Sequence, residues 1–335
     1  MTNADVMTEL VATTPGLFPL PDWAKEELSD LKGHQKSDLV SGDESEAVAD
    51  AYDQVRAELV ETQTDAGLDR ITEGQGRWDD MLAHPLAVHD AVETRGIVRY
   101  YDNNNFYREP VVTGDLTPTG DVGAELDAAA ELTDDGLQAV LPGPYTLADL
   151  ATDEHYGDEF LEAVAEFLAG EVDTFPDHET LFLLEPSLVE SPPTEGVDER
   201  ASAAVDTVAA ATDAEVVVQP VYGALEEKIY AHLMDADVDA LGFDLVSDHE
   251  QNVYNAQEYG TTDAVSLGVV DGQNTLVESA ETVRERFEWF DGQVAASFDT
   301  AYLTANTELF YLPVNKATAK AEALAAATEL EEVEA

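Results

Sequence analysis

The sequence predicts an α/β protein: a single (β/α)8 barrel of the TIM type, with a β-hairpin inserted near residues 97–114. Eight short runs of apolar and β-branched residues recur along the chain. Several are almost continuously hydrophobic, which is typical of parallel strands buried on both faces. Segments with apolar residues at helical spacing lie between these runs, and such alternation indicates a barrel. The chain has 335 residues, 44% of them hydrophobic, which is enough for a large core.

The predicted strands are short, and each is followed by polar or turn-forming residues. They occupy residues 13–18, 68–73, 138–142, 181–185, 215–220, 239–245, 264–270 and 294–299. The inserted hairpin is predicted from residues 97–101 and 109–114, because these two runs flank an Asn-rich turn.

The predicted helices each carry an apolar stripe. In the first of them, Val48, Tyr52 and Val55 recur at helical spacing, and Gly67 is expected to end the helix. From Ala317 the sequence predicts a final helix with an acidic tail, over residues 317–335. The polar segments that contain Gly and Pro are interpreted as surface loops and not as linkers between domains. Residues 1–335 are therefore assigned to one domain.

The charge of the chain is strongly unbalanced. It has 72 acidic and 15 basic residues, which gives a formal net charge of −57. Such a surface would repel itself at low salt, and at about 1 M salt the Debye length of about 3 Å screens that repulsion. We therefore expect a protein adapted to a high-salt cytoplasm. Nucleic-acid binding is excluded, because no basic stripe is present to displace counterions.

Several functional classes are excluded by what the sequence lacks. It has no cysteine, so disulfides and thiolate metal sites are excluded. No apolar run is long enough to span a membrane, and the first ten residues do not resemble a signal peptide, so we expect a cytoplasmic protein. None of the seven histidines lies in a known catalytic motif, and His249, the one nearest a strand end, is interpreted as a surface residue.

Polar and aromatic residues follow most of the predicted strands. Because barrel enzymes carry their chemistry at the carboxyl ends of the strands, these residues predict a ligand pocket. Each has a structural alternative as well: the glycines permit tight turns, and Glu73 and Glu185 could pair with Arg70 or Arg77. The candidates at strand ends and on the hairpin are residues 73–80, 99–108, 142–146, 185–186, 220–223, Asp244, 271–274 and 297–300.

Three segments resemble the cobalamin-independent methionine synthase family. They are GlyLeuAspArgIleThrGluGlyGlnGlyArgTrpAspAspMet (67–81), LeuProGlyProTyrThr (141–146) and LeuLeuGluProSerLeu (183–188). The resemblance covers the chain from about Thr13 to Pro313. It implies a barrel fold, since that enzyme resembles two fused barrels: a C-terminal one that holds zinc and homocysteine, and a degenerate N-terminal one.

Three further segments, 99–110, 241–248 and 268–274, resemble the zinc-free N-terminal half. The zinc ligands of the catalytic half would fall in residues 218–222, near Gly242 and near Leu309, where no such ligand stands. The Asp that would hold the homocysteine amine is replaced by Leu184, and a catalytic His expected near Gln273 is also absent. The resemblance therefore implies that this chain binds no zinc and no other cofactor of its own.

The resemblance also implies a role in methyl transfer from a 5-methyltetrahydrofolate-type donor to homocysteine, with a separate zinc-bearing barrel as partner. By the family's pattern, Arg99 and Lys25 would bind carboxylates of the pterin donor, and Glu185 and Asp244 would shape the barrel mouth. The other site residues expected to bind or orient the donor are Asp102, Asn104, Gln75, Arg77 and Asn274.

Two other hypotheses remain open at the level of the sequence. One is a metal-free enzyme related to uroporphyrinogen decarboxylase, in which four arginines would hold a substrate with several carboxylates. Those arginines would be Arg70, Arg77, Arg99 and Arg108. The other hypothesis is a non-catalytic barrel that only stabilises or regulates its partner.

Overall fold

A computed structural model describes residues 8–29, 45–101, 103–133 and 136–330. Its centre is a curled sheet of seven parallel strands in the order β1-β10-β9-β8-β7-β6-β4. These strands are β1 (Glu9–Ala12), β4 (Gln138–Pro142), β6 (Thr180–Leu184), β7 (Glu215–Gln219), β8 (Ala240–Asp244), β9 (Ala264–Val270) and β10 (Thr300–Ala305). Strands β4, β6, β8 and β9 are buried along their whole length, which explains their nearly continuous apolar sequences.

The sheet closes through the segment predicted as the second strand. Asp69 N donates to Ala12 O on β1 at 2.9 Å, while Ile71 N donates to Gly136 O at 2.8 Å. Gln138 N, on β4, returns a bond of 2.8 Å to Ile71 O, and Ile71 forms a parallel bridge with Leu137. The segment therefore bonds to both edges of the sheet, although its own pairing is reduced to one bridge. The prediction of a TIM-type barrel is confirmed.

Two of the predicted strands were wrong in position. The first strand lies at Glu9–Ala12 and not at 13–18, because the chain turns at Gly16 and Leu17, which have φ angles of 77° and 48°. The last strand lies at Thr300–Ala305 and not at 294–299. Its sequence, ThrAlaTyrLeuThrAla, is less hydrophobic than the neighbouring strands, yet its last five residues are buried.

The inserted hairpin is present and begins earlier than predicted. It consists of β2 (Val92–Arg99) and β3 (Phe106–Val112), which pair antiparallel with a bulge between Thr94 and Ile97. A short strand, β5 (Thr152–Asp153), adds to β3 in parallel. The turn of the hairpin lies over the carboxyl ends of the barrel strands, because Tyr100 and Tyr101 contact residues that follow β10 and β6.

The helices surround the barrel. The predicted stripe is confirmed on the second helix, where Val48, Tyr52 and Val55 are buried and Gly67 caps the end with a φ of 82°. The helices are α1 (Asp22–Ser29), α2 (Glu46–Ala66), α3 (His84–Ala87), α4 (Asp121–Ala130), α5 (Pro144–Asp149), α6 (Phe160–Val172), α7 (Ser187–Glu190), α8 (Val197–Ala209), α9 (Glu227–Met234), α10 (His249–Tyr259), α11 (Ala280–Gln293) and α12 (Val314–Thr328).

The final helix begins three residues before the predicted Ala317, at Val314, and the end of the acidic tail, 331–335, lies outside the described residues. Among the helices that the structure describes, none is both long and apolar enough to cross a membrane. The buried apolar residues form one continuous core, from Val11 on β1 to Ala327 on α12. The assignment of residues 1–335 to one domain stays a prediction.

Candidate functional site

A cleft of about 320 Å³ opens beside the barrel mouth, between the loops that follow the first two strands and the turn of the hairpin. Its volume lies at the lower end of the range of small-molecule sites. The wall combines aromatic rings with two amides, a carboxylate and a lysine. The lining residues are Leu17, Phe18, Pro19, Leu20, Lys25, Gln75, Gly76, Trp78, Asp79, Met81, Asn105, Phe106 and Phe310.

The side of the cleft next to the barrel is built by two loops that bond to each other. Gln75 is buried, and its Oε1 accepts a hydrogen bond of 2.6 Å from Leu17 N. Phe18 N donates to Gly74 O at 3.0 Å. Gly16 permits this approach, because a Cβ at that position would lie 2.3 Å from the Gln75 Oε1 atom, and its φ of 77° suits glycine.

Four of the sequence-predicted site residues lie in or beside this cleft. Lys25 lines it from α1, with half of its side chain exposed and a surface ion pair of 3.3 Å to Asp22. The guanidinium carbon of Arg99 lies 5.9 Å from the centre of the Phe106 ring, which is part of the wall. Asn104 is an exposed residue of the hairpin turn, and Gln75 belongs to the lining. Asp102 lies outside the described residues.

Arg77 and Asn274 are placed elsewhere. The Arg77 Nη1 atom lies 2.7 Å from the Glu125 Oε1 atom, and its guanidinium packs over the Tyr52 ring, so it points between α2 and α4. Asn274 is exposed in the loop after β9, where its side chain accepts a bond from Leu276 N. Neither residue lines the cleft.

Glu185 and Asp244 lie at the barrel mouth and fasten its loops. Glu185 follows β6, is fully buried, and accepts backbone hydrogen bonds from Tyr145 and Thr146 at 3.0 and 2.8 Å. Burial raises the pKa of the Glu185 carboxyl to about 7. Asp244, at the end of β8, accepts bonds from Val246 N and Ser247 N at 2.9 and 2.8 Å, and burial raises its pKa as well.

A cluster of tyrosines around Glu308 also occupies the mouth, and the sequence analysis missed its centre. Glu308 follows β10 and is fully buried; its Oε1 accepts a bond of 2.6 Å from the Tyr100 hydroxyl. The Tyr222 hydroxyl lies 3.4 Å from Glu308 Oε2 and 2.5 Å from the Tyr311 hydroxyl. Because the last strand was predicted six residues too early, Glu308 and Tyr311 were not recognised as strand-end residues. Tyr100 and Tyr222 were among the candidate segments.

The residues at the mouth do not fit the zinc ion that the methionine synthase resemblance implies for a catalytic barrel. Gln219, at the end of β7, bonds to Ser266 and to Pro220 O, and Asp244 is satisfied by backbone amides and Asn306. Over the described ranges, no three His, Cys, Asp or Glu side chains are grouped so as to hold a metal ion. The available oxygens are already hydrogen-bonded, and zinc sites favour imidazole and thiolate ligands.

The four arginines that could have held a substrate with several carboxylates do not converge. Arg70 pairs with Glu179 at 3.0 Å, at the amino end of β6, which is the opposite end of the barrel. Arg108 pairs with the buried Asp80 at 2.5 Å. With Arg77 between α2 and α4, only Arg99 of the four lies beside the cleft. The geometry therefore gives no support to the uroporphyrinogen decarboxylase-like hypothesis.

Comparison with known proteins identifies the family. The family model described as "Cobalamin-independent synthase, Catalytic domain" matches residues 10–296. A methionine synthase of Sulfolobus acidocaldarius is 25% identical over 289 residues, which are 84% of this chain and 81% of that protein. One from Saccharolobus solfataricus is 24% identical over 300 residues, with 84% of each chain covered.

Solved structures show the same fold. A B12-independent methionine synthase from Shewanella sp. W3-18-1, in complex with selenomethionine, superposes with a TM-score of 0.73 at 18% identity, covering 95% of this chain and 96% of that one. A putative vitamin-B12-independent methionine synthase from Listeria monocytogenes gives a TM-score of 0.70 at 15% identity, with 97% and 99% covered.

These relatives are of about the same length as this chain, since the matches span most of both partners. The matching family model is that of the catalytic domain, whereas three sequence segments resemble the N-terminal half. The closer likeness to that half stays a prediction. The match over residues 10–296 covers far more than half of the chain. The chain belongs to the cobalamin-independent methionine synthase family.

Proposed function

We propose that this chain takes part in the transfer of a methyl group to homocysteine by binding a methylated pterin donor in the cleft beside the barrel mouth. A zinc-bearing barrel of the same family, as a separate chain in the cytoplasm, would hold and activate the homocysteine thiol. The observation that carries the proposal is the composition of the cleft: aromatic rings, two amides and two nearby cations in an otherwise very acidic molecule.

The cleft matches the chemistry of a pterin with a glutamate tail. Phe106, half of which is exposed, and Phe310 offer ring surfaces on which a flat heteroaromatic group can stack. Gln75 and Asp79 supply hydrogen-bonding groups for the edge of such a ring. Lys25 and Arg99 lie at the rim, where an ammonium and a guanidinium can bind carboxylates of the tail.

The net charge of −57 makes these two cations more important. An anionic donor is repelled by the molecule as a whole, and this repulsion acts over the Debye length of about 10 Å at 0.1 M salt. At about 1 M salt the Debye length falls to about 3 Å, whereas direct contacts to Lys25 and Arg99 persist. We therefore expect the donor to bind better at high salt than at low salt.

The barrel mouth supports the assignment of thiol activation to a partner. A thiol attacks as thiolate, so the site that holds homocysteine needs a metal or a base that removes its proton. Here the buried carboxyls Glu185, Asp244 and Glu308 are engaged by backbone amides, by Asn306 and by phenols. None of these partners supplies the positive charge that would favour a thiolate.

The proposal is tested by a methyl-transfer assay at high salt, with homocysteine and a methylated pterin. Three samples are compared: this chain alone, a zinc-bearing homologue from the same organism alone, and the two mixed. Activity only in the mixture, or a lower KM for the donor in the mixture, is the expected result. Equal activity of the homologue with and without this chain would overturn the proposal. Complex formation without any change in the donor KM would favour the scaffold hypothesis instead.

A further inference from the structure

The hairpin tip, which is Tyr100, Tyr101 and Asn103, is inserted into the barrel mouth and is held there by Glu308. Tyr100, the residue after β2, donates its hydroxyl to Glu308 at 2.6 Å, and both side chains are fully buried. Within the described ranges, no Lys, Arg or His forms an ion pair with Glu308. Its hydrogen-bond partners on other elements are the phenols of Tyr100 and Tyr222. The carboxyl group therefore acts as an acceptor that ties the hairpin to the end of β10.

The contact extends over several strand ends. The Tyr101 hydroxyl lies 2.8 Å from Ser187 Oγ, after β6, and the Tyr101 ring lies 5.4 Å from the ring of Tyr222, after β7. Asn103 Nδ2 donates to the Tyr311 hydroxyl at 3.2 Å. Tyr101 and Tyr222 have φ angles of 49° and 72°, which bulky residues rarely adopt and which persist only where the surroundings hold them.

The same hairpin turn forms part of the cleft. Asn105 and Phe106, which follow the inserted tip, line the cleft on one side. Phe310 lines it from the barrel side, and its ring lies 4.0 Å from that of Tyr311 and 6.1 Å from that of Tyr100. The part of the cleft wall made by Asn105, Phe106 and Phe310 therefore adjoins the hairpin tip. A displacement of the tip would move that wall.

We propose that Glu308 is a positioning residue: by accepting the hydrogen bond of Tyr100 it fixes the hairpin tip in the mouth and so sets the wall of the donor cleft. This inference rests on the proposed binding of the donor in that cleft.

The test compares Tyr100→Phe with Tyr230→Phe in the full chain at high salt. Tyr230 is a matched control, since it is equally buried and its hydroxyl also donates a single bond of 2.6 Å, to Gly260 O, far from the cleft. Two quantities are measured: the hydrogen-exchange rates of the amides of residues 92–112, and the Kd for 5-methyltetrahydropteroyl glutamate. We expect Tyr100→Phe to accelerate exchange in the hairpin and to weaken donor binding, each by about tenfold. Tyr230→Phe should change neither.

Two variants of Glu308 complete the experiment. Glu308→Gln keeps a carbonyl acceptor for Tyr100, so its hairpin exchange and donor Kd should stay near those of the parent. Glu308→Leu removes the acceptor and should behave like Tyr100→Phe. Unchanged hairpin exchange in Tyr100→Phe would overturn the inference. If the parent does not bind the donor, the proposed function fails, and the exchange rates still decide whether Glu308 positions the hairpin.

Discussion

At the scale of single residues, six of the predicted site residues form two groups, whereas Arg77 and Asn274 lie elsewhere. Lys25, Gln75, Arg99 and Asn104 surround one cleft, whereas Glu185 and Asp244 are buried hydrogen-bond acceptors that fasten loops at the mouth. Within the first group, Lys25 and Asn104 are exposed at least in part, whereas Gln75 is buried and accepts a hydrogen bond from Leu17 N. Glu185 and Asp244 already accept hydrogen bonds from backbone amides of the loops. Substitution of either residue is therefore expected to change the geometry of the loops before it affects ligand binding.

Arg99→Ala is expected to weaken binding of a glutamate-bearing donor by tenfold or more, because a charge-assisted hydrogen bond contributes about 1.5–3 kcal/mol. Arg95→Ala is the control: it removes the same charge from the same strand, where Arg95 pairs with Glu93 and Glu154. Both variants are titrated by calorimetry with a methylated pterin that carries the tail and with one that lacks it. The effect of Arg99→Ala should disappear for the tail-less pterin. An equal loss with both ligands would argue against a contact between Arg99 and the tail.

Glu73 carries a pH-dependent contribution to stability. It is buried beside Glu125, its Oε1 has no hydrogen-bond partner among the described residues, and burial raises its pKa to about 8. The folded state therefore keeps a proton that the unfolded state loses near pH 4.5. This contribution to stability is complete below about pH 4.5 and is lost as the pH rises through about 8.

Glu73→Gln, which mimics the protonated carboxyl, should reduce the fall in stability between about pH 4.5 and pH 8, as measured by denaturant unfolding at high salt. Glu185, with a pKa of about 7, would still cause a fall at lower pH. The control is Glu61→Gln. Glu61 is exposed and lies on α2, the same helix as Arg56, and the charge of Arg56 is one of those near Glu73. A parallel pH profile for the parent and Glu73→Gln would contradict the assignment of the proton to Glu73.

At the scale of elements, the strands that could be predicted are those whose burial is uniform. The runs 138–142 and 264–270 coincide with β4 and β9, because a parallel strand covered on both faces needs apolar residues at every position. Thr300–Ala305 was missed because Tyr302 and Thr304 are buried polar side chains, whose burial the hydrophobicity of the sequence does not reveal. That one error also concealed Glu308 and the centre of the tyrosine cluster.

The reduced second strand makes a prediction of its own. Gly136, which accepts the bond from Ile71, has a φ of 78°, and a Cβ there would lie 2.5 Å from Asp69 O. Gly136→Ala should therefore cost more stability than the roughly 1–2 kcal/mol of a left-handed alanine, since it also forces the segment away from β4. Gly120→Ala is the control, with a φ of 71° and open space around the new Cβ. Equal losses in denaturant unfolding would mean that residues 69–71 do not close the barrel tightly.

At the scale of the whole molecule, the surface charge and the core have separate effects. The core is that of an ordinary barrel and is continuous from β1 to α12. The surface of 14480 Å² carries a net charge of −57, so each net charge has about 250 Å². The spacing between neighbouring charges is then comparable to the Debye length at low salt. At about 1 M salt, the spacing is several times larger than the Debye length. The fold is specified by the core, while its stability depends on the solvent.

We therefore expect the melting temperature to rise by roughly 10 °C or more between about 0.1 M and 2 M KCl, because screening relieves the self-repulsion of the folded state. Thermal unfolding is followed by circular dichroism in KCl and, as the control, in a neutral solute at matched osmolality. Only the salt should produce the steep part of the rise, as the Debye length falls from about 10 Å at 0.1 M to about 3 Å at 1 M. A melting temperature that responds equally to both solutes would show that solute exclusion, and not screening, stabilises the barrel. A melting temperature that does not change with KCl would contradict the adaptation to high salt that the composition predicts.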